Sequence, residues 1–212
     1  MRLFSLIKTN KCFFICFLIL VLLTTCLLVF IQKQQLFILL NQWHSTSLDN
    51  AFIFLTMLGN GWCIIIIGAV CLLAKLKKLG ILILSSFLLS GILAQFLKFL
   101  IPEARPGILL ENSGYPFFLN NVTLHSYSSF PSGHTASAFA LASSITFYWR
   151  NKWMAIPLFI YACLVGYSRI YIGDHFLGDV VAGALLGVLS ASACYMYFSR
   201  DRSMNNLKTK DL

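Results

Sequence analysis

Three short stretches of this 212-residue chain carry the side chains that could do chemistry: Lys98–Pro106 (KFLIPEARP), Pro131–His134 (PSGH) and Ser168–Asp179 (SRIYIGDHFLGD). In the first, Pro102 lies between Lys98 and Arg105 and breaks a helix, so the two cations need not share a helical face. Arg offers a planar fork matched to phosphate oxygens, and Lys a compact point charge. The same pair could instead be interfacial anchors that snorkel to headgroups. In the second stretch, Ser132 is a candidate N-cap. The first N–H groups of the helix that follows are unpaired and can bind an anion. Gly133 removes a side chain that would obstruct close approach to that backbone, and His134 sits at the mouth of the same turn. An ordinary cap with an interfacial histidine is the alternative. In the third stretch, His175 and Asp179 share a helical face if the helix has begun by His175. A carboxylate beside an imidazole fixes its tautomer and stabilises the cation formed on reaction, which suits a histidine nucleophile. A structural His–Asp pair would also explain that spacing.

A metal site is the sharp competitor, with His134, His175, Asp174 and Asp179 as possible ligands. Lys98, Arg105 and Arg169 argue against it, because cations around one spot repel a divalent ion and stabilise a phosphate. The ligand spacing is also not HExxH or another tight metal pattern. No metal and no other cofactor is therefore expected.

The elements that must position these groups are membrane helices. Apolar residues make up 58 % of the chain and charged residues 11 %, against about 25 % charged in soluble domains. Apolar segments run over 12–31, 51–74, 79–101, 135–149, 153–171 and 176–198. The second is interrupted by Gly59-Asn60-Gly61, which predicts a short helix, a turn and then a spanning helix; the fourth is short for a span. The expectation is an all-α polytopic bundle of about six transmembrane helices, a single domain over 1–212, with both termini cytoplasmic and a polar tail over 199–212. The run from Cys12 to Ile31 is too long for a signal peptide and lacks an A-x-A site, so it reads as a retained first helix.

Charge supports that orientation. With the N-terminus inside, only Lys33, Lys98, Arg105 and Arg169 of the sixteen Lys and Arg fall on the outer side. Three of those four belong to the three stretches above. The net charge of +9 thus reads as membrane topology rather than nucleic-acid binding. The seven cysteines lie in or beside apolar runs without a CxxC pair and read as packing residues. Outside, 32–50 reads as an interfacial piece with Trp43 at headgroup depth, and 102–130 as a substrate-facing lid. His44 and His125 read as solvent-facing, Asp49 as a helix cap, and Glu111 as a solvated loop residue. Glu103 and Asp174 are placed to tune the charge of the site. Ser85, Ser86 and Ser90 with Gly91, and Gly183 with Gly187, read as small residues that let helices pack closely.

The pattern K-x6-RP, PSGH, SR-x5-H-x3-D resembles that of the type 2 phosphatidic acid phosphatases, a family of membrane lipid phosphatases, and matches it without departure. Soluble acid phosphatases and vanadium haloperoxidases share the site type, but the hydropathy here excludes a soluble enzyme. The resemblance implies hydrolysis of a lipid phosphate or diphosphate of the undecaprenyl diphosphate, phosphatidic acid, phosphatidylglycerol phosphate or lipid A class. It implies that Lys98, Arg105 and Arg169 bind phosphate oxygens, with Ser132, Gly133 and the N–H of His134 as further donors. His175 would attack phosphorus and become a phosphohistidine, Asp179 would orient it, and His134 would protonate the leaving oxygen and then activate water. The expected setting is a bacterial inner membrane with the site facing the periplasm or exterior. A phosphotransferase using the same site is the nearest rival. A lipid-phosphate transporter is the rival of another class, but it has no need of His175, Asp179 and His134 together.

Overall fold

The computed structural model describes residues 3–110, 115–116 and 128–199. Ten helices and no strands occur among them: α1 (Leu3–Thr9), α2 (Lys11–Phe30), α3 (Lys33–Asn41), α4 (Thr46–Leu58), α5 (Gly61–Leu73), α6 (Lys77–Leu100), α7 (Pro106–Leu109), α8 (Gly133–Trp149), α9 (Lys152–Tyr171) and α10 (Leu177–Phe198). Four of them, α2, α6, α9 and α10, are long and apolar enough to cross a membrane. The α4–α5 pair, bent by 52° at Gly59-Asn60, makes a fifth if it is one span. The sixth expected span, α8, has 17 residues and falls short of that length. The chain is an integral membrane protein.

Helix α8 is the centre of the bundle. Its sequence, GHTASAFALASSITFYW, is mostly small residues, and twelve of the seventeen are buried. Small side chains let backbones approach closely where lipid supplies no hydrophobic drive between helices. Helix α10 answers with Gly183 and Gly187. A Cβ at Gly183 would lie 2.4 Å from the Ser132 carbonyl oxygen, and one at Gly187 would lie 2.5 Å from that of Ala136. Phe13 and Phe17 of α2, Phe139 and Phe147 of α8 and Phe159 of α9 fill the wider gaps, mostly edge to face. By contrast, a Cβ at Gly91 would meet nothing within 4 Å, so that glycine serves no close contact, although Ser86 and Ser90 beside it are fully buried. All seven cysteines are free.

The connection over 32–50 is less exposed than its polarity suggests. Leu36, Phe37 and Asn41 of α3 are buried. The Asn41 side chain donates to the carbonyls of Ile170 (2.9 Å) and Tyr171 (2.6 Å), the last of α9, and accepts from Tyr115 (2.6 Å). Trp43 is exposed. His44 is not solvent-facing: it pairs with Asp49 at 2.9 Å and packs on Tyr171. Nor does Asp49 cap α4. Ser45 does that, and Asp49 accepts instead from His44 and from the Tyr171 hydroxyl at 2.6 Å. The connection that starts at Pro102 is tied to α3 by Lys33–Glu103 at 2.8 Å. Glu111, His125, most of the proposed lid and the tail from 200 onward lie outside the described residues.

Candidate active site

All three stretches meet at one end of the bundle, where α6 and α9 end and α8 and α10 begin. Helix α9 stops at Ile172 because Gly173 turns into the left-handed region at φ 83°. The Arg169 carbonyl then accepts from both Asp174 N (3.1 Å) and His175 N (3.2 Å), folding these residues back over the helix end. Helix α10 begins only at Leu177, so His175 precedes it, contrary to the shared helical face expected from the spacing. The pairing survives by another route. Asp179 sits in the first turn, its Oδ2 accepts from Phe176 N at 2.9 Å, and His175 Nδ1 lies 3.4 Å from the same oxygen. With Nδ1 turned to Asp179, Nε2 is the nitrogen left to react.

Ser129 is a member of this group that the motif pattern did not reveal. It is fully buried, its hydroxyl donates to Asp179 Oδ2 at 2.5 Å, and its oxygen lies 3.5 Å from His175 Nδ1. The only signal in the sequence is a hydroxyl two residues ahead of PSGH. Ser132 is the N-cap of α8, as expected, but its side chain makes no cap bond; it accepts instead from the Thr135 hydroxyl at 2.9 Å. Its backbone N–H donates to the Asp179 carbonyl at 2.9 Å, joining the starts of α8 and α10. The first N–H groups of α8 are thus not consumed by the cap side chain. A Cβ at Gly133 would point into open space, which leaves room for an anion beside that backbone.

The cations surround this point. Arg105 and Arg169 are buried, and Lys98 is half-buried. Lys98 Nζ donates to the Ser128 carbonyl at 2.5 Å, and Ser128 itself has a positive φ of 61°. Arg169 donates to the Thr56 hydroxyl of α4, a contact across 113 positions that no local pattern announces. Arg169 Nε is buried without a hydrogen-bond partner. A buried donor left unpaired is costly, so this one calls for an acceptor. Asp174 bridges the two arginines: Oδ1 lies 2.5 Å from Arg105, and Oδ2 pairs with Arg169. Its role is therefore larger than tuning. Burial alone would raise the Asp174 carboxyl, but Arg169 and Arg105 hold it below the usual carboxylate range. For His175 burial dominates and pushes the imidazole down to about 4 against the pull of Asp179, which keeps it neutral. His134, at the first turn of α8, lies within the electrostatic reach of Arg169, His175, Asp174 and Arg105. Gly59, at the α4–α5 bend, lets that loop pack on the His134 backbone: a Cβ there would stand 3.2 Å from its carbonyl oxygen. Among the described residues, no three His, Cys, Asp or Glu side chains are grouped as metal ligands would be.

The sequence profile of the PAP2 superfamily matches residues 79–203. The chain belongs to that superfamily. The match spans Lys98, Arg105, Ser129, Ser132, Gly133, His134, Arg169, Asp174, His175 and Asp179, but not Thr56 or Gly59. An undecaprenyl-diphosphatase of Sulfolobus acidocaldarius is 35 % identical over 72 % of this chain and 72 % of its own length. A lipid A 4'-phosphatase of Porphyromonas gingivalis is 29 % identical over 81 % of this chain and 75 % of its own. Among solved structures, Aquifex aeolicus LpxE superposes with a TM-score of 0.68 at 32 % identity, over 79 % of this chain and 97 % of LpxE. As a PAP2 protein with phosphatases among its relatives, the chain is an enzyme of phosphate ester chemistry in a membrane.

Proposed function

We propose that this protein hydrolyses the terminal phosphate of a membrane lipid, a phosphate monoester or a diphosphate, through a phosphohistidine on His175. One observation carries the reading. A neutral, buried histidine, paired through Nδ1 to Asp179, lies in one cluster with two buried arginines and a lysine, beside the start of α8 with its unconsumed N–H groups. Lys98, Arg105 and Arg169 hold the phosphate oxygens, with the backbone N–H groups of Gly133 and His134 beside them and the Ser132 hydroxyl next to that turn. Fixed cations and dipoles aimed at the charge of the transition state need no reorganisation at the moment of reaction, and they supply the neutralisation a divalent metal would give. His175 Nε2 attacks in line; the N–P bond forms as the P–O bond to the lipid breaks, and His134 delivers a proton to the leaving oxygen. His134 then removes a proton from water, whose oxygen attacks the phosphohistidine and releases phosphate with His175 restored.

The location of the site fits a lipid. It lies at helix ends, at the opposite end of the bundle from Lys8, Lys11, Arg150 and Lys152. Basic residues favour the cytoplasmic side, so the site faces the exterior or periplasm of the inner membrane, with the lipid tail left in the bilayer. The two relatives act on an undecaprenyl diphosphate and a lipid A phosphate, and these head the substrates to be tried.

The test is phosphate release by detergent-purified protein from lipid monophosphates and diphosphates in EDTA, beside His175→Ala. Release that disappears in the variant, with an acid-labile phosphoenzyme trapped by rapid quench in wild type, is the expected result. Release that appears only after a divalent metal is restored would overturn the mechanism. Phosphoryl transfer that requires a second lipid would replace hydrolysis by transfer.

A further inference from the structure

The positive charge of the site is engaged from within the chain. Asp174 presents one carboxylate oxygen to Arg105 and the other to Arg169. Its Oδ2 also lies 3.8 Å from His175 Nε2, the nitrogen turned away from Asp179. We propose that the Asp174 carboxylate is an internal competitor of the substrate phosphate, which binds by displacing it from at least one of the two arginines, and that this exchange selects terminal phosphates over phosphodiesters. The inference rests on the phosphatase reading above.

Geometry makes the two anions mutually exclusive. A phosphorus poised for in-line attack stands about 3–3.5 Å from the attacking nitrogen. Asp174 Oδ2 lies only slightly farther out, on the guanidiniums that a phosphate would need. Two oxygens spanning two guanidiniums is also how a phosphate would be held. The surroundings permit exchange. Arg105 donates to the Asp174 backbone carbonyl as well (3.3 Å), so it stays in place when the side chain leaves. Arg169 keeps its bond to Thr56, and its buried Nε gives an incoming oxygen a first partner before either carboxylate contact breaks. Until then the carboxylate offsets the cost of burying clustered cations.

The consequence is a charge threshold. A ligand that displaces Asp174 replaces one negative charge near the arginines, so a monoanion gains little by the exchange. A terminal phosphate carries about −1.5 to −2 near neutral pH and a diphosphate more, so both gain. The phosphodiester headgroups that crowd a membrane surface carry a single charge each. Asp174 thereby keeps the bulk lipid out of a site built to bind phosphate.

The experiment is calorimetric titration of detergent-purified wild type and Asp174→Asn with orthophosphate and with dimethyl phosphate, a soluble phosphodiester monoanion. The expected result is tighter binding of both by the variant, by at least about tenfold, because in wild type both ligands must displace the same carboxylate and a like charge beside the ligand has gone. Equal or weaker binding by a folded variant, or no binding to either protein, overturns the proposal. Should the variant fail to fold, a structure of wild type with orthovanadate decides. Asp174 drawn off Arg105 or Arg169 supports the exchange; a bound oxyanion with both pairs intact refutes it. Neither readout depends on turnover, so a protein that releases no phosphate fails the phosphatase reading separately.

Discussion

Replacing Gly183 by alanine should separate two helices whose junction carries the reacting groups. The new Cβ would stand 2.4 Å from the Ser132 carbonyl oxygen, 3.1 Å from Thr135 Cβ and 3.3 Å from Ala136 N. Two of these three atoms are backbone, so no side chain can swing away. Real Cβ contacts stay at or above 3.0 Å, so relief of the first needs about 0.6 Å of movement between α8 and α10. That movement falls on the hydrogen bond from Ser132 N to the Asp179 carbonyl, hence on the register between the α8 anion site and the His175–Asp179 pair. Overpacking of this kind costs about 1–3 kcal/mol, and misplacing reacting groups by about 1 Å can cost on the order of 100-fold in rate. The expected outcome is a lower unfolding temperature in detergent and kcat/KM for lipid phosphate release reduced by about 10- to 100-fold. Gly187→Ala meets a comparable clash, 2.5 Å from the Ala136 carbonyl, one turn farther from the site. It should lose similar stability and less activity. Gly91→Ala meets nothing and should leave both unchanged. Gly183→Ala within about twofold of wild type, or Gly187→Ala losing as much activity as Gly183→Ala, would refute the claim that this contact sets the register of the site.

Three further outcomes follow from the contacts of Asp179 and His175. Asp179→Asn should lower kcat by about 10³–10⁴-fold with little change in KM, because the imidazole loses the acceptor that fixes its tautomer; phosphate release under saturating substrate reads this directly. Ser129→Ala removes the 2.5 Å donor to the buried Asp179 carboxylate and should lower kcat by about 5- to 30-fold, the equivalent of about 1–2 kcal/mol, with Ser129→Thr restoring part of it; a Thr variant no better than Ala would count against a positioning role. His175 must be neutral to attack, and its protonation is held down to about 4. In NMR of histidine-labelled protein without substrate, the His175 imidazole should therefore stay neutral on the acid side and protonate only as the pH drops through about 4; protonation already near 6.5, the ordinary histidine value, would contradict the burial argument.

The contacts that anchor the end of α9 bear on the same chemistry. Asn41 of α3 donates to the carbonyl of Tyr171 and to that of Ile170, which also accepts from Gly173 N, at the end of a buried helix. Tyr115, in the connection that leads toward PSGH, bonds to the same Asn41. Helix α3 and Tyr115 are thus tied to the helix end from which Arg169, Asp174 and His175 emerge.

Hydropathy and charge placement alone determined that this is a helical membrane protein with its reactive groups at one end, because charge beside hydrocarbon is too costly to place idly. The motif types alone also marked Lys98, Arg105, Ser132, Gly133, His134, Arg169, His175 and Asp179, since each stretch is local in the chain. Only the tertiary structure decided how they are connected. Ser129 reaches Asp179 across 50 positions and Arg169 reaches Thr56 across 113, and nothing local encodes either contact. The same holds for the packing of His44 on Tyr171 of α9, although its other partner, Asp49, is only five positions away. Asp174 stood next to His175 in plain view, yet its role as the bridge between Arg105 and Arg169 exists only because Gly173 turns the chain back over the end of α9. Local sequence sets which groups are present and that they sit at the ends of apolar segments, through solvation. The pairing of those groups depends on which helix ends are brought together by close packing of small residues, and that is a property of the whole fold.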